Sequence, residues 1–377
     1  MPVRHPTHRW WAGAAVTLLL AACAQASAEG PHTEVAGARL VRQEPSEQSA
    51  SVFDPASAYL TAESAEPSII GRVTPAVADQ LATGLSAAST AATAVVPFDP
   101  PPLITTPSGR PASEKIVTTT VGGVERQWTL VVPPNTSESQ RLPLLIVLHG
   151  VGGKGTAMRR LGFEKFASPA GYMVAYPDAV GGSWNDGRPG MEPLAGAPVD
   201  DVAFLRELIA RSVADAGADA KRIAIAGFSN GALMASRAAC DMTDQLASVV
   251  LVSGSGPRDM TLKCKPSRPL AMMVVFGTAD TVVPYEGGPV AMYAGKPRGM
   301  VAPVREVLDI WRGVNGCTGT ESQLLAGTAP SITATRGTGC RADVVHLKVA
   351  GGTHDWVTNA TFDTTTEAWK FVAAHLA

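Results

Sequence analysis

Six short apolar runs, each bounded by Gly, Pro or Asp, recur through the later part of this chain: LPLLIVLHG (142–150), GYMVAYPD (171–178), RIAIAG (222–227), LASVVLVSGSG (246–256), PLAMMVVFGTAD (269–280) and DVVHLKVAGG (343–352). Runs this short that are apolar at nearly every position read as strands buried on both faces, the habit of a parallel sheet. Helical patterns lie between them. In VDDVAFLRELIARSVADAGA, Val202, Leu205, Ile209 and Val213 share one face, with Asp200 or Asp201 as the expected N-cap. TTTEAWKFVAAHLA closes the chain with a Thr-x-x-Glu box ahead of its apolar positions. Before them all, IVTTTVGGVERQWTLVVPP forms two β-rich stretches around Gly122-Gly123, a hairpin signal. Strands alternating with helices over about 260 residues predict one α/β domain, residues 114–377, with a mostly parallel central sheet and helices on both faces. In such sheets chemistry sits beyond the carboxyl ends of the strands.

The preceding part of the chain has another texture. Arg4, His5, His8 and Arg9 lead into an apolar run from Trp10 to Ala22. That run falls short of the roughly 20 residues needed to span a bilayer and fits a secretory signal, residues 1–22. Its end, Leu20-Ala21-Ala22-Cys23, resembles a bacterial lipobox, which makes Cys23 the expected lipidation site; cleavage near Ala28 is the alternative. Residues 23–113 are dominated by Ala, Ser, Thr, Pro and Glu and predict a mostly disordered spacer with too little apolar area to offset the entropy of ordering. The expected location is outside the cytoplasm, secreted or lipid-anchored at a bacterial cell envelope. With a formal net charge of −2, the chain carries no electrostatic signature of a nucleic-acid partner, and the anchor is its one expected link to a membrane.

Cysteine usage agrees with export. Setting Cys23 aside leaves Cys240, Cys264, Cys317 and Cys340, an even number with three possible connectivities. The sequential pairs Cys240–Cys264 and Cys317–Cys340 are favoured; each closes a loop of roughly two dozen residues, worth about 3 kcal/mol on the chain-entropy estimate. No Cys-x-x-Cys occurs, and neither a metal nor a cofactor is expected.

The third apolar run ends in Gly227-Phe228-Ser229-Asn230-Gly231, and a helix-forming stretch, ALMASRAAC, follows. Gly-x-Ser-x-Gly between strand and helix is the pattern of a nucleophile elbow, in which side chains two positions either side of the serine would collide with neighbouring backbone. The hydroxyl of Ser229 then stands at a helix N-terminus, where the N–H of Asn230 is available to a developing oxyanion. A serine nucleophile needs a base. Of seven histidines, His5 and His8 fall in the signal, His32 in the spacer, His149 in a different motif, His346 mid-strand and His375 at the end of the last helix. His354, directly after the last strand run, remains. The carboxylate partner is Asp280, at another strand end, with Asp355 as its rival. A second oxyanion donor is expected in the glycine-rich turn after His149-Gly150, from the N–H of Val151 or alternatively Gly152. Trp184 and Trp356 are candidates for a substrate pocket, or for core cover. Asp186, Asp200 and Asp201 read as structural.

Taken together, LIVLHGVGG, YPDAVGGSWNDGR, VDDVAFLRELI, GFSNGALMA, FGTADTVVPYEGG and GGTHDW resemble the secreted α/β-hydrolase family that includes polyhydroxybutyrate depolymerases, feruloyl esterases and related acetyl esterases. The resemblance runs from about Lys115 onward. It implies an α/β-hydrolase fold, a triad of Ser229, Asp280 and His354, and the sequential disulfide pairing. The expected partner is an ester, either a polysaccharide-linked acyl ester or a hydroxyalkanoate polyester or oligomer. Two departures stand out. The stretch Gly351 to Thr358 has Thr353 in place of a third glycine and Val357-Thr358 in place of the Pro-Gly that usually follows the tryptophan, and Phe276 stands where a His-Gly pair is common; both are expected to alter the mouth of the site. A serine peptidase of the same fold and a non-catalytic surface lipoprotein on a hydrolase scaffold are the alternatives.

Overall fold

The computed structural model describes residues 112–377 except 135, 138, 192–198, 293–294, 326–330 and 377. The expected signal segment, Cys23 and almost all of the expected spacer lie outside the described residues. The strands are β1 (Ser113–Val121), β2 (Val124–Val132), β3 (Leu142–Leu148), β4 (Met173–Pro177), β5 (Ala218–Phe228), β6 (Ser248–Val252), β7 (Ala271–Gly277), β8 (Gly288–Pro289), β9 (Met300–Val301), β10 (Gly319–Leu324), β11 (Ile332–Thr338) and β12 (Val344–Val349). The α-helices are α1 (Glu164–Ala167), α2 (Asp201–Arg211), α3 (Asn230–Asp241), α4 (Arg258–Lys263), α5 (Val304–Asn315) and α6 (Thr364–Leu376).

Ten strands form one sheet in the order β1-β2-β4-β3-β5-β6-β7-β12-β11-β10, while β8 and β9 pair separately. The six apolar runs become β4, β3, β5, β6, β7 and β12, and every pairing among them is parallel. The Gly122-Gly123 hairpin forms as expected, with Val121 facing Val124. Alternation along each strand splits the core into two layers. Leu144, Ile146, Leu148, Ile223 and Ile225 pack with Phe204 of α2, Leu233 of α3 and Trp311 of α5. Leu145, Val147, Ala224 and Ala226 face the other way, against Trp369 and Phe371 of α6. Fully burying each large aliphatic side chain contributes roughly 1.5–3 kcal/mol, so a sheet covered on both faces accounts for the near-continuous apolar runs.

Both helices expected from sequence form, and one cap differs from expectation. The Asp200 carboxylate accepts the Ala203 N–H at 2.9 Å and caps α2. At α6 the cap is Asp363, whose carboxylate accepts the Thr366 N–H at 2.6 Å. The Thr364 hydroxyl turns back to donate to the Val357 carbonyl, and Glu367 pairs with Lys370, so the Thr-x-x-Glu box does not form. Asp363, one residue earlier, has the shorter reach to the free N–H groups of the first turn.

Both sequential disulfides are present. Cys240–Cys264 ties the end of α3 to the end of α4, and Cys317–Cys340 closes the base of the β10–β11 hairpin. That hairpin extends the sheet past β12. Every residue of β10 is exposed, so its sequence carries no apolar alternation that could have announced a strand.

Candidate active site

Three loops at the carboxyl ends of β5, β7 and β12 meet at one rim of the sheet. Ser229 follows β5 with φ +56°, a left-handed conformation in a residue that has a Cβ. Strain of that kind persists only where the surroundings enforce it. A Cβ at Gly227 would lie 2.2 Å from the Gly231 carbonyl oxygen. One at Gly231 would lie 2.4 Å from the Leu148 carbonyl oxygen. The two glycines thus permit the turn for the steric reason expected from the sequence.

The Ser229 hydroxyl donates to His354 Nε2 at 2.8 Å. The opposite ring nitrogen, Nδ1, donates to Asp280 Oδ2, also at 2.8 Å. Asp280 is held rigidly: its other oxygen, Oδ1, accepts the N–H groups of Val282 at 2.8 Å and Val283 at 2.9 Å. The imidazole of His354 packs on Phe228 with ring centroids 5.3 Å apart, and Phe228 meets Trp356 nearly edge-on. Ser253, the other non-glycine residue with positive φ among the described residues, donates its hydroxyl to the Asp355 carbonyl and steadies the histidine loop. The Asp355 residue itself is exposed; the carboxylate facing His354 is that of Asp280. Such an arrangement can pass a proton from hydroxyl to imidazole while a buried carboxylate stabilises the resulting charge.

The turn after β3 lies beside Ser229. A Cβ added at Gly150 would be 3.3 Å from the serine Cβ. Gly152 N–H is committed to the Gly182 carbonyl at 2.8 Å, which removes it as an oxyanion donor and leaves Val151. Asn230 is the first residue of α3, so its N–H is one of the donors a helix start leaves open. His149 braces this turn from below. Its Nδ1 donates to the Gly150 carbonyl at 2.7 Å, while Nε2 accepts the Ala179 N–H at 3.1 Å. That pairing requires the neutral ring, and burial pushes its pKa down, in the same sense.

The tryptophans are not pocket surface. Trp184 is fully buried, stacked on Phe204, with its indole N–H donated to the His149 carbonyl. Trp356 is also buried and donates to Thr365 Oγ1 at 3.0 Å. Large flat rings with one polar handle were better used here to support loops than to meet solvent. Phe276 likewise lies in the core, edge-on to Tyr285, and not at the mouth of the site.

Side-chain roles invisible in the local sequence surround the elbow. The Asn230 amide accepts from the Trp184 N–H and donates to Asp186 Oδ2 at 2.8 Å. Arg188 grips that same carboxylate at 2.7 Å, and both partners are buried. Asp201 pairs with Arg126 and accepts the Asn185 N–H at 2.7 Å. Burial raises the Asp201 pKa and lowers that of Arg126, against their mutual attraction. The signal that could have drawn attention to this region was the density of Trp, Asn, Asp and Arg in SWNDGR.

Burial also makes a pH signature. His346 of β12 is enclosed beside Tyr285, and desolvation, with Arg312 and Lys348 nearby, pushes its pKa down to about 4 from 6.5. The unfolded chain takes up this proton near pH 6.5 and the folded chain only near pH 4. The contribution is therefore fully present above pH 6.5 and lost as pH falls toward 4, by about 3 kcal/mol. Urea unfolding of wild type and His346→Gln across that window should give a shallower stability loss for the variant. Parallel slopes would show that this imidazole does not carry the effect.

A family model described as Phospholipase/Carboxylesterase matches residues 200–293, a span that includes Ser229 and Asp280. Feruloyl esterase B of Piromyces equi is 32% identical over 210 residues, covering 54% of this chain and 38% of that protein. NocK of Nocardia uniformis subsp. tsuyamanensis, a protein named as an esterase, is 29% identical over 303 residues, 73% of this chain and 88% of its own length. Feruloyl esterase D of Neurospora crassa is 22% identical over 254 residues, 63% and 77% of the respective chains. The chain thus spans well under half of the first of these relatives and most of the other two.

Proposed function

We propose that this chain, which belongs to the α/β-hydrolase esterases, is an exported serine carboxylic-ester hydrolase working through an acyl-enzyme on Ser229. The observation that carries the reading is the unbroken relay from Asp280 through His354 to the Ser229 hydroxyl, 2.8 Å at each step. In the mechanism, His354 takes the serine proton as Oγ attacks the ester carbonyl. The N–H groups of Asn230 and Val151 receive the oxyanion, and the imidazolium returns its proton to the departing alcohol. Water, activated by the same histidine, then attacks the acyl-enzyme and frees the acid. Asp280 accepts from Nδ1 and so holds the resting His354 in the tautomer that presents a bare Nε2 to the serine.

For the substrate, similarity to two proteins named feruloyl esterases favours polysaccharide-linked acyl esters over hydroxyalkanoate polyesters. Export fits the two disulfides, which persist in oxidising compartments. The test is a turnover panel of methyl ferulate, p-nitrophenyl acetate, p-nitrophenyl butyrate and hydroxybutyrate oligomers, with a peptide anilide alongside. The expected order puts methyl ferulate first in kcat/KM. Hydrolysis of the anilide alone would replace the esterase reading with the peptidase one.

A further inference from the structure

We propose that Trp184 is a positioning residue that holds the two halves of the oxyanion site in register. The inference rests on the esterase reading, because an oxyanion site has a role only where acyl transfer occurs. The two donors assigned to that site belong to different elements. Asn230 opens α3 after β5, and Val151 follows β3. No hydrogen bond of the Asp280–His354–Ser229 relay links one to the other.

Trp184, from the loop after β4, is bonded to both sides. Its backbone N–H donates to Asn230 Oδ1 at 2.8 Å, and its carbonyl accepts from Asn230 Nδ2 at 3.1 Å. The amide therefore grips the backbone of one residue through both its N–H and its carbonyl. The indole Nε1–H donates to the His149 carbonyl at 2.9 Å, two residues before Val151. Between these anchors lies a rigid bicyclic ring with no accessible surface, stacked on Phe204 and tilted on His149 with centroids 5.1 Å apart. Asp186 fixes the far side of the Asn230 amide, and Arg188 fixes Asp186 while donating to the Arg298 carbonyl at 2.7 Å.

Glycine contacts already bring the two loops together, since a Cβ at Gly231 would lie 2.5 Å from the His149 carbonyl oxygen. Close approach sets the spacing of the two loops but not the direction of their N–H groups. The three hydrogen bonds of Trp184 set direction, and direction decides whether both N–H vectors converge on one oxygen. Because acylation and deacylation each pass through a tetrahedral oxyanion, a misaligned pair slows kcat whichever step limits it, while ground-state ester binding is spared.

The decisive variant is Trp184→Phe, which keeps an aromatic ring against Phe204 and removes the indole donor. Its kcat on p-nitrophenyl acetate should fall about 10- to 100-fold with KM within about twofold. The comparison variant is Trp128→Phe, which perturbs the same core, with ring centroids 6.0 Å from Phe204, and whose indole N–H makes no hydrogen bond to either oxyanion loop. It should lower the melting temperature comparably and leave kcat near wild type. Should Trp184→Phe not fold, Asn230→Ala removes the amide grip, keeps the backbone N–H, and should show the same split. Equal kcat losses at Trp184 and Trp128, or a loss confined to KM, would overturn the positioning role while leaving the esterase reading intact. Wild type inert toward every ester would remove that reading and this role with it.

Discussion

Ser229→Ala should lower ester turnover by about 10⁴-fold or more and abolish covalent labelling by a fluorophosphonate, with the circular dichroism of wild type retained. The expected loss is this large because the three side chains act as one unit. In acylation His354 takes its proton from this hydroxyl, and without the hydroxyl no acyl-enzyme forms. Alanine keeps the Cβ and therefore the same steric demand at φ +56°, so the elbow has no new reason to unfold. Intact-protein mass spectrometry after labelling reads the result directly. A variant that still gains the phosphonyl mass would move the nucleophile elsewhere and end the proposed mechanism.

Asp280→Asn should cost a comparable factor, about 10⁴ in kcat, for a different reason. The N–H groups of Val282 and Val283 demand an acceptor at the position of Oδ1. The asparagine carbonyl will satisfy them, which turns its NH₂ toward His354 Nδ1. Two donors then face each other, the imidazole moves its proton to Nε2, and the base can no longer accept from Ser229. Geometry survives while the tautomer is wrong. Asp355→Asn, altering the exposed neighbour, should leave kcat/KM within about threefold, as surface substitutions outside such networks usually do. If the larger loss came from Asp355, the orientation of His354 would have to be reassigned.

How these residues came to be identifiable differs from case to case. The glycines at 227 and 231 advertise a turn whose constraint is steric and local, so the elbow could be read from five letters and their flanking periodicities. His354 and Asp280 followed from strand ends, because a parallel sheet delivers its loops to one rim. The cap of α6 was misplaced by one residue, since Asp363 and Thr364 are both competent and only the loop path selects between them. The rings at 184 and 356 read as either pocket lining or core cover, and the ring at 276 as altering the mouth; packing put all three inside.

The amino-acid order on its own settles the parallel α/β sheet, the strand-to-helix turn carrying Ser229 and the cysteines available for pairing, because periodicity, glycine sterics and residue counts are properties of neighbouring positions. Only the folded chain decides which N–H groups remain open to an oxyanion, that His149 is a neutral brace, and that Trp184 joins loops 35 and 46 residues away from it. Those bonds link segments far apart in the chain, and a hydrogen bond between distant loops leaves no periodic trace in either one.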